Sequence, residues 1–166
     1  MKAGGGHVTA DRAPTLLTET IMSVSANAFM RRFVEFINTA DETLGKELIA
    51  NDAIFHVPNR SEPMQGVAGY LAIIGMMRGG FPDIQWTLEE TIAEEDKLGA
   101  GDTRIAARFT MRGRHQGDFF GVPATGKPIA VQAVNFYRVS NGKIVEERGQ
   151  PDLLGLMQQI GAVPAS

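Results

Sequence analysis

Three positions in the C-terminal half of the chain carry side chains able to move or hold a proton: His115 in Gly113-Arg114-His115-Gln116-Gly117, Asn135 in Ala133-Val134-Asn135-Phe136-Tyr137, and the adjacent pair Glu146-Glu147. A histidine exchanges protons near neutral pH and so suits a general acid or base, while a strand end beside glycines equally suits a structural hydrogen bond to the following loop. Asparagine has a poor strand preference, and its amide must find partners if it is buried. On the concave face its NH2 would donate to a ligand carbonyl and stabilise a developing enolate; otherwise it belongs to a sheet network or to solvent. Gln132, three residues earlier, falls on the opposite face of a regular strand. Glu146 and Glu147 also take opposite faces, so one carboxylate leans toward any pocket and the other toward solvent; a buried one with a raised pKa can remove a proton next to a carbonyl.

Other chemistries are poorly served. There are three histidines, His7 among the first residues, and no spacing that pairs metal ligands on one element. The glycines at 113, 117, 121 and 126 surround a turn without the strand-to-helix context and lysine of a phosphate loop. Cysteine is absent, which removes disulfides and thiolate nucleophiles and suits a reducing cytoplasm. Sixteen basic and nineteen acidic residues give a net charge of −3, leaving no positive field for nucleic acid or an anionic membrane. No segment reaches the roughly 20 apolar residues needed to cross a bilayer.

The elements that must position these side chains follow from periodicity. Phe29, Phe33, Phe36 and Ile37 recur at helical spacing from Ser23 or Ser25 onward. Thr39-Ala40-Asp41-Glu42 has the form of a capping box for a short second helix. A short strand over Ala53 to Val57 and a polar loop over Asn59 to Gln65 precede a third helix, which carries Val67, Tyr70, Leu71, Ile74 and Met77 and closes at Gly79-Gly80. After Pro82 the period changes to two, giving a strand over Ile84 to Glu90, an acidic turn at Glu94-Glu95-Asp96, and a long strand over Arg104 to Arg114. Ile129 to Val139 and Lys143 to Arg148 form the next hairpin around Asn141-Gly142, and Asp152 caps a last helix that Gly161 and Pro164 stop. Helices first and strands later predict an α+β fold, with 166 residues enough for one domain. Residues 1–21 show no export signal and are set aside as a flexible tail, leaving 22–166 as the single domain.

Such a curved sheet with helices on its concave side leaves an apolar pocket, for which Tyr70, Phe81, Trp86, Phe119 and Phe120 offer wall, and Met76 and Met77 an adaptable filling. Gly113 to Gly161 as a whole, and most densely GRHQGDFFGVPATGK, YRVSNGKIVEE and PDLLGLMQQIG, resembles the SnoaL-like polyketide cyclases of the nuclear transport factor two-like superfamily. In element order the resemblance extends over Ser23 to Gly161. It implies a curved antiparallel sheet wrapped around the N-terminal helices into a cone-shaped barrel with one deep pocket, often a homodimer through the outer sheet face, and a hydrophobic carbonyl ligand handled without metal or organic cofactor. His115 matches a histidine of the family's motif, and His56 stands where relatives often put a pocket-facing polar residue. Where the named cyclases carry a catalytic aspartate this chain has Gly149, and where they carry an assisting histidine it has Asn135. Since Glu147 shares strand parity with Gly149, the resemblance favours Glu147 over Glu146 as the pocket carboxylate. Two functions are therefore expected. One is a cofactor-free cyclase or isomerase in which Glu147 or His115 moves the proton while Asn135 holds the enolate oxygen. The other is a non-catalytic binding protein in which Asn135, Gln132 and Gln150 orient an apolar ligand.

Overall fold

The computed structural model describes residues 13–95 and 102–164, with side chains over 26–94 and 102–164. Its order is α1 (Ala13–Thr39), α2 (Glu42–Leu48), β1 (Ile49–His56), β2 (Met64–Gln65), α3 (Gly66–Gly80), β3 (Gln85–Glu95), β4 (Thr103–Arg114), β5 (Pro128–Ser140), β6 (Lys143–Pro151) and α4 (Leu153–Ile160). The helix–strand sequence is the α+β arrangement expected. None of the helices among the described residues is long and apolar enough to cross a membrane.

Several boundaries differ from the sequence reading for identifiable reasons. α1 begins at Ala13, inside the segment set aside as a tail, with Pro14 in the first turn where a missing N–H costs nothing. Asp41, not Thr39, caps α2: its Oδ1 accepts from the N–H groups of Thr43 and Leu44 at 2.8 and 3.3 Å. The Thr39 hydroxyl instead donates back to the Glu35 carbonyl. Glu94 and Glu95 lie in β3 rather than in a turn, paired with Arg104 and Thr103 across the ladder, so that opposite charges face each other at the first of these pairs; Asp96 lies outside the described residues.

The six strands form one sheet in the order β2-β1-β6-β5-β4-β3, curled but not closed, so the expected cone has two free edges, β2 and β3, and is not a barrel. Nor is it wholly antiparallel, because β1 runs parallel to β6. β6 continues three residues past Arg148, the last residue predicted for it, to Pro151. Pairing with β1 stops at His56↔Arg148 while pairing with β5 goes on to Ala133↔Pro151, so the proline sits on a locally unpaired edge where its missing N–H is tolerated. Asn141 and Gly142 have φ of 50° and 74°, the conformation their turn requires.

Side chains on the concave face form two apolar clusters. Phe33, Phe36, Phe55, Tyr70, Ile74, Phe109 and Tyr137 belong to one, against α1 and α3. Phe81, Ile84, Met111, Phe119, Val131, Leu156 and Ile160 belong to the other, against α4. Two side-chain amides clamp helices onto the sheet by imitating a strand. Asn38 at the end of α1 donates to and accepts from the backbone of Trp86, both at 2.9 Å. Gln159 of α4 does the same to Ala130, at 2.7 and 3.2 Å, alongside the part of β5 that β6 does not reach.

Candidate active site

A cavity of about 120 Å³ opens at the seam between the two clusters. Ile37, Phe55, Tyr70, Ile74, Phe109 and Tyr137 line it from the first cluster, and Met111, Phe119 and Leu156 from the second. The wall is apolar almost throughout. Its polar end is built by strand register: β5 and β6 set Tyr137 opposite Glu147 and Asn135 opposite Gly149, all four on the concave face, and α3 brings Tyr70 down onto them.

These groups form a closed network. Asn135 Nδ2 donates to Glu147 Oε1 at 2.7 Å and to Tyr137 Oη at 3.2 Å. Its Oδ1 accepts from the backbone N–H of Gln150 at 3.3 Å. The Tyr70 hydroxyl meets both Glu147 and Tyr137. Burial pushes the Glu147 carboxyl up to about 8, hydrogen bonding from Tyr70 and Asn135 pulling the other way without cancelling it. Both phenols are raised well above their usual range, first by burial and then by the carboxylate beside them. Glu147 is 7% exposed, and its Oε2 has no hydrogen-bond partner among the described residues. With Oε1 occupied as an acceptor, Oε2 is the oxygen left for the proton at neutral pH.

Glu146 takes the other face, where Arg148, Arg138 and His56 approach its carboxylate at 2.8, 3.5 and 3.4 Å. His56 borders the cavity, with its imidazole turned to that ion-pair group. Tyr70, Trp86 and Phe120 also line the cavity. Phe81 is fully buried behind the wall, in the second cluster. Gln132 and Gln150 project from the convex face, exposed, Gln150 reaching the site only through its backbone.

His115 does not join the network. It is fully buried at the end of β4, with Nδ1 3.0 Å from the Thr125 hydroxyl and 3.3 Å from the Thr125 N–H, and its ring packs on Phe81 at 5.3 Å. It holds the root of the loop between β4 and β5 and does not line the cavity. Asn135 lies in the cavity wall, but both its N–H groups are spent within the protein, so it holds Glu147 rather than offering a free donor. Tyr137 was missed by the sequence reading, although it shares Asn135's strand face two residues on. A β-carbon on Gly149 would lie 3.4 to 3.6 Å from the Asn135 amide, an ordinary contact, so that position faces the same cavity without contributing a functional group.

A curled α+β sheet around a mainly apolar cavity, with a carboxyl–phenol–amide network at one end, defines a class of small-pocket α+β proteins. The family model for the SnoaL-like polyketide cyclase matches residues 27–160, and the chain belongs to that family. It is 28% identical over 137 residues to the aklanonic acid methyl ester cyclase DnrD of Streptomyces peucetius, spanning 80% of this chain and 88% of that protein. It is also 28% identical over 96 residues to the nogalonic acid methyl ester cyclase of Streptomyces nogalater, 58% of this chain and 67% of that one. Among solved structures, IdmH of Streptomyces antibioticus superposes with a TM-score of 0.69 at 28% identity, over 82% of this chain and 98% of its own.

Proposed function

We propose that this SnoaL-like protein is a cofactor-free cyclase or isomerase acting on a hydrophobic, enolisable carbonyl compound, polyketide- or ester-like, with Glu147 as its acid/base group. The observation that carries the reading is the buried Glu147 carboxyl at the cavity, fixed through Oε1 by Asn135 with Oε2 unpartnered. In its ionised form Oε2 takes a proton from the carbon next to the ligand carbonyl. The C–H electron pair moves into the C–C bond, and the carbonyl becomes an enolate. The protonated carboxyl then returns that proton, to another carbon in an isomerisation, or to the alkoxide formed when the enolate carbon attacks a second carbonyl in an aldol closure. Asn135 and Tyr70 position the carboxyl through their hydrogen bonds to it. The relatives are named as cyclases of aklanonic acid methyl ester and nogalonic acid methyl ester, and the apolar wall suits an ester ligand.

A second reading rests on Gly149. With no side chain there, the protein binds an apolar metabolite without turnover, and Glu147 only orients it. Incubation with a β-keto ester in D2O separates the two. Deuterium uptake by wild type that falls at least 100-fold in Glu147→Gln supports acid/base chemistry, within the range of about 10²–10⁴ for such groups; saturable binding with no exchange in either protein supports the carrier. In both readings the protein acts in the cytoplasm as a homodimer. The convex face supports the dimer, since Ile92, Val134 and Phe136 are exposed on it beside residues of both charges, Arg108, Glu90 and Arg138, as a two-fold contact requires.

A further inference from the structure

The loop between β4 and β5 carries a strained residue at the cavity mouth. Phe119 and Val122 exchange two backbone hydrogen bonds of 3.0 Å, closing a two-residue turn in which Phe120 and Gly121 have φ of 50° and 78°. Asn, Asp or Gly ordinarily fills the first position of such a turn, because a larger side chain there crowds the backbone. Phe120 is not placed there by core packing, as it is 63% exposed. Its ring leans edge-on against Phe119, with centroids 4.6 Å apart, and borders the cavity.

The loop is fastened, not free. Gln116 and Gly117 both donate to the Gly80 carbonyl, at 2.9 and 3.0 Å. Asp118 accepts from the Gly121 N–H at 3.1 Å. Phe119 packs on Phe81 at 5.0 Å and fills the space where a Gly80 side chain would lie. His115 ties the loop's root to Thr125. The cavity beneath, about 120 Å³, is close in size to the roughly 150 Å³ cavity that binds one benzene ring, so it holds about a single ring. A larger ligand must therefore emerge past the exposed lining residues, Phe120 and Met76, the latter 39% exposed.

We propose that Phe120 is the ligand-size selector of this site: its strained turn holds an aromatic shelf over the mouth, on which the portion of a planar multi-ring ligand too large for the cavity lies flat. The inference rests on the cavity being a ligand site, as proposed above, and not on turnover. It is tested with full-length wild type, Phe120→Gly and Phe120→Ala, titrated calorimetrically with 1,8-dihydroxyanthraquinone and with acetophenone, together with thermal melts. Loss of one aromatic contact should weaken the three-ring compound about tenfold in both variants and leave acetophenone within about twofold. Phe120→Gly should melt above Phe120→Ala, because glycine alone relieves the backbone. Equal weakening of both compounds, no weakening of either, or an alanine variant that melts as high as the glycine one would overturn the proposal. If acetophenone binds and the three-ring compound shows no dependence on Phe120, only this inference falls. If wild type binds neither compound, the cavity reading falls with it.

Discussion

At the scale of single residues the site turns on one carboxyl and the groups that hold it. Glu147 is raised in the folded protein to about 8 from an ordinary 4.5, so the folded state keeps a proton that the unfolded chain has released. The stability linked to that proton is fully present below about pH 4.5, drains away as pH rises, and is gone above about pH 8. Urea titrations between pH 5 and 8 should show wild type losing on the order of a few kcal/mol, and Glu147→Gln losing much less. As a base Glu147 acts when ionised, so deuterium exchange should climb with pH and level off above about 8. Asn135→Ala removes a donor that lowers the Glu147 pKa, so the midpoint of that profile should move alkaline, with a weaker plateau as the carboxyl loses its anchor. A profile unmoved by this substitution would mean that Asn135 is only a packing residue. Of these side chains, Asn135 was legible from its residue type in a strand, and Glu147 from the family resemblance, strand parity alone leaving it open against Glu146. Tyr137 was not, since an aromatic at that spacing reads equally as core, and it is buried at 3%. His115 shows the converse: a proton-carrying side chain in a motif-like setting whose bonds run to Thr125 in its own loop.

At the scale of elements, α4 is joined to the sheet where β6 leaves off. Gln159 completes the β5 ladder at Ala130 with its side chain, so Gln159→Ala leaves a backbone donor and acceptor without those partners. The expected cost is about 0.5–1.5 kcal/mol, accompanied by faster amide exchange at Ala130 than at Val131; global destabilisation with uniform exchange would refute the local role. Elements of strong period were predictable: α3, β4 and β5 lie within a residue or two of their expected bounds. Ends were less so. β6 outran its local propensity because β5 offered a ladder to it, and Glu94 joined β3 because Arg104 faces it.

At the scale of the whole molecule, curling the sheet makes two surfaces, a concave one with the cavity and a convex one with exposed Ile92, Val134 and Phe136. If the convex face joins two copies, Phe136→Glu buries like charges across the two-fold and should shift the sedimentation coefficient to that of a monomer. Acetophenone binding should survive, because Phe136 alternates away from Asn135 and Tyr137 in β5.

The sequence by itself determined the α+β class, the SnoaL-like resemblance now shown by the family match, and the turn at Asn141-Gly142, because each rests on local chemistry or on the order and period of the elements; strand parity put Glu146 and Glu147 on opposite faces without deciding between them, and the resemblance favoured Glu147. Tertiary structure decided what period cannot carry. The β5–β6 register put Tyr137 against Glu147, and α3 laid Tyr70 over both. The parallel β1 joined the sheet from 92 positions away along the chain (Phe55↔Glu147), and the strands stopped short of a closed barrel. These are contacts between segments distant in sequence. Their geometry is set by how the two apolar clusters pack, and the cavity is the space those clusters leave between them.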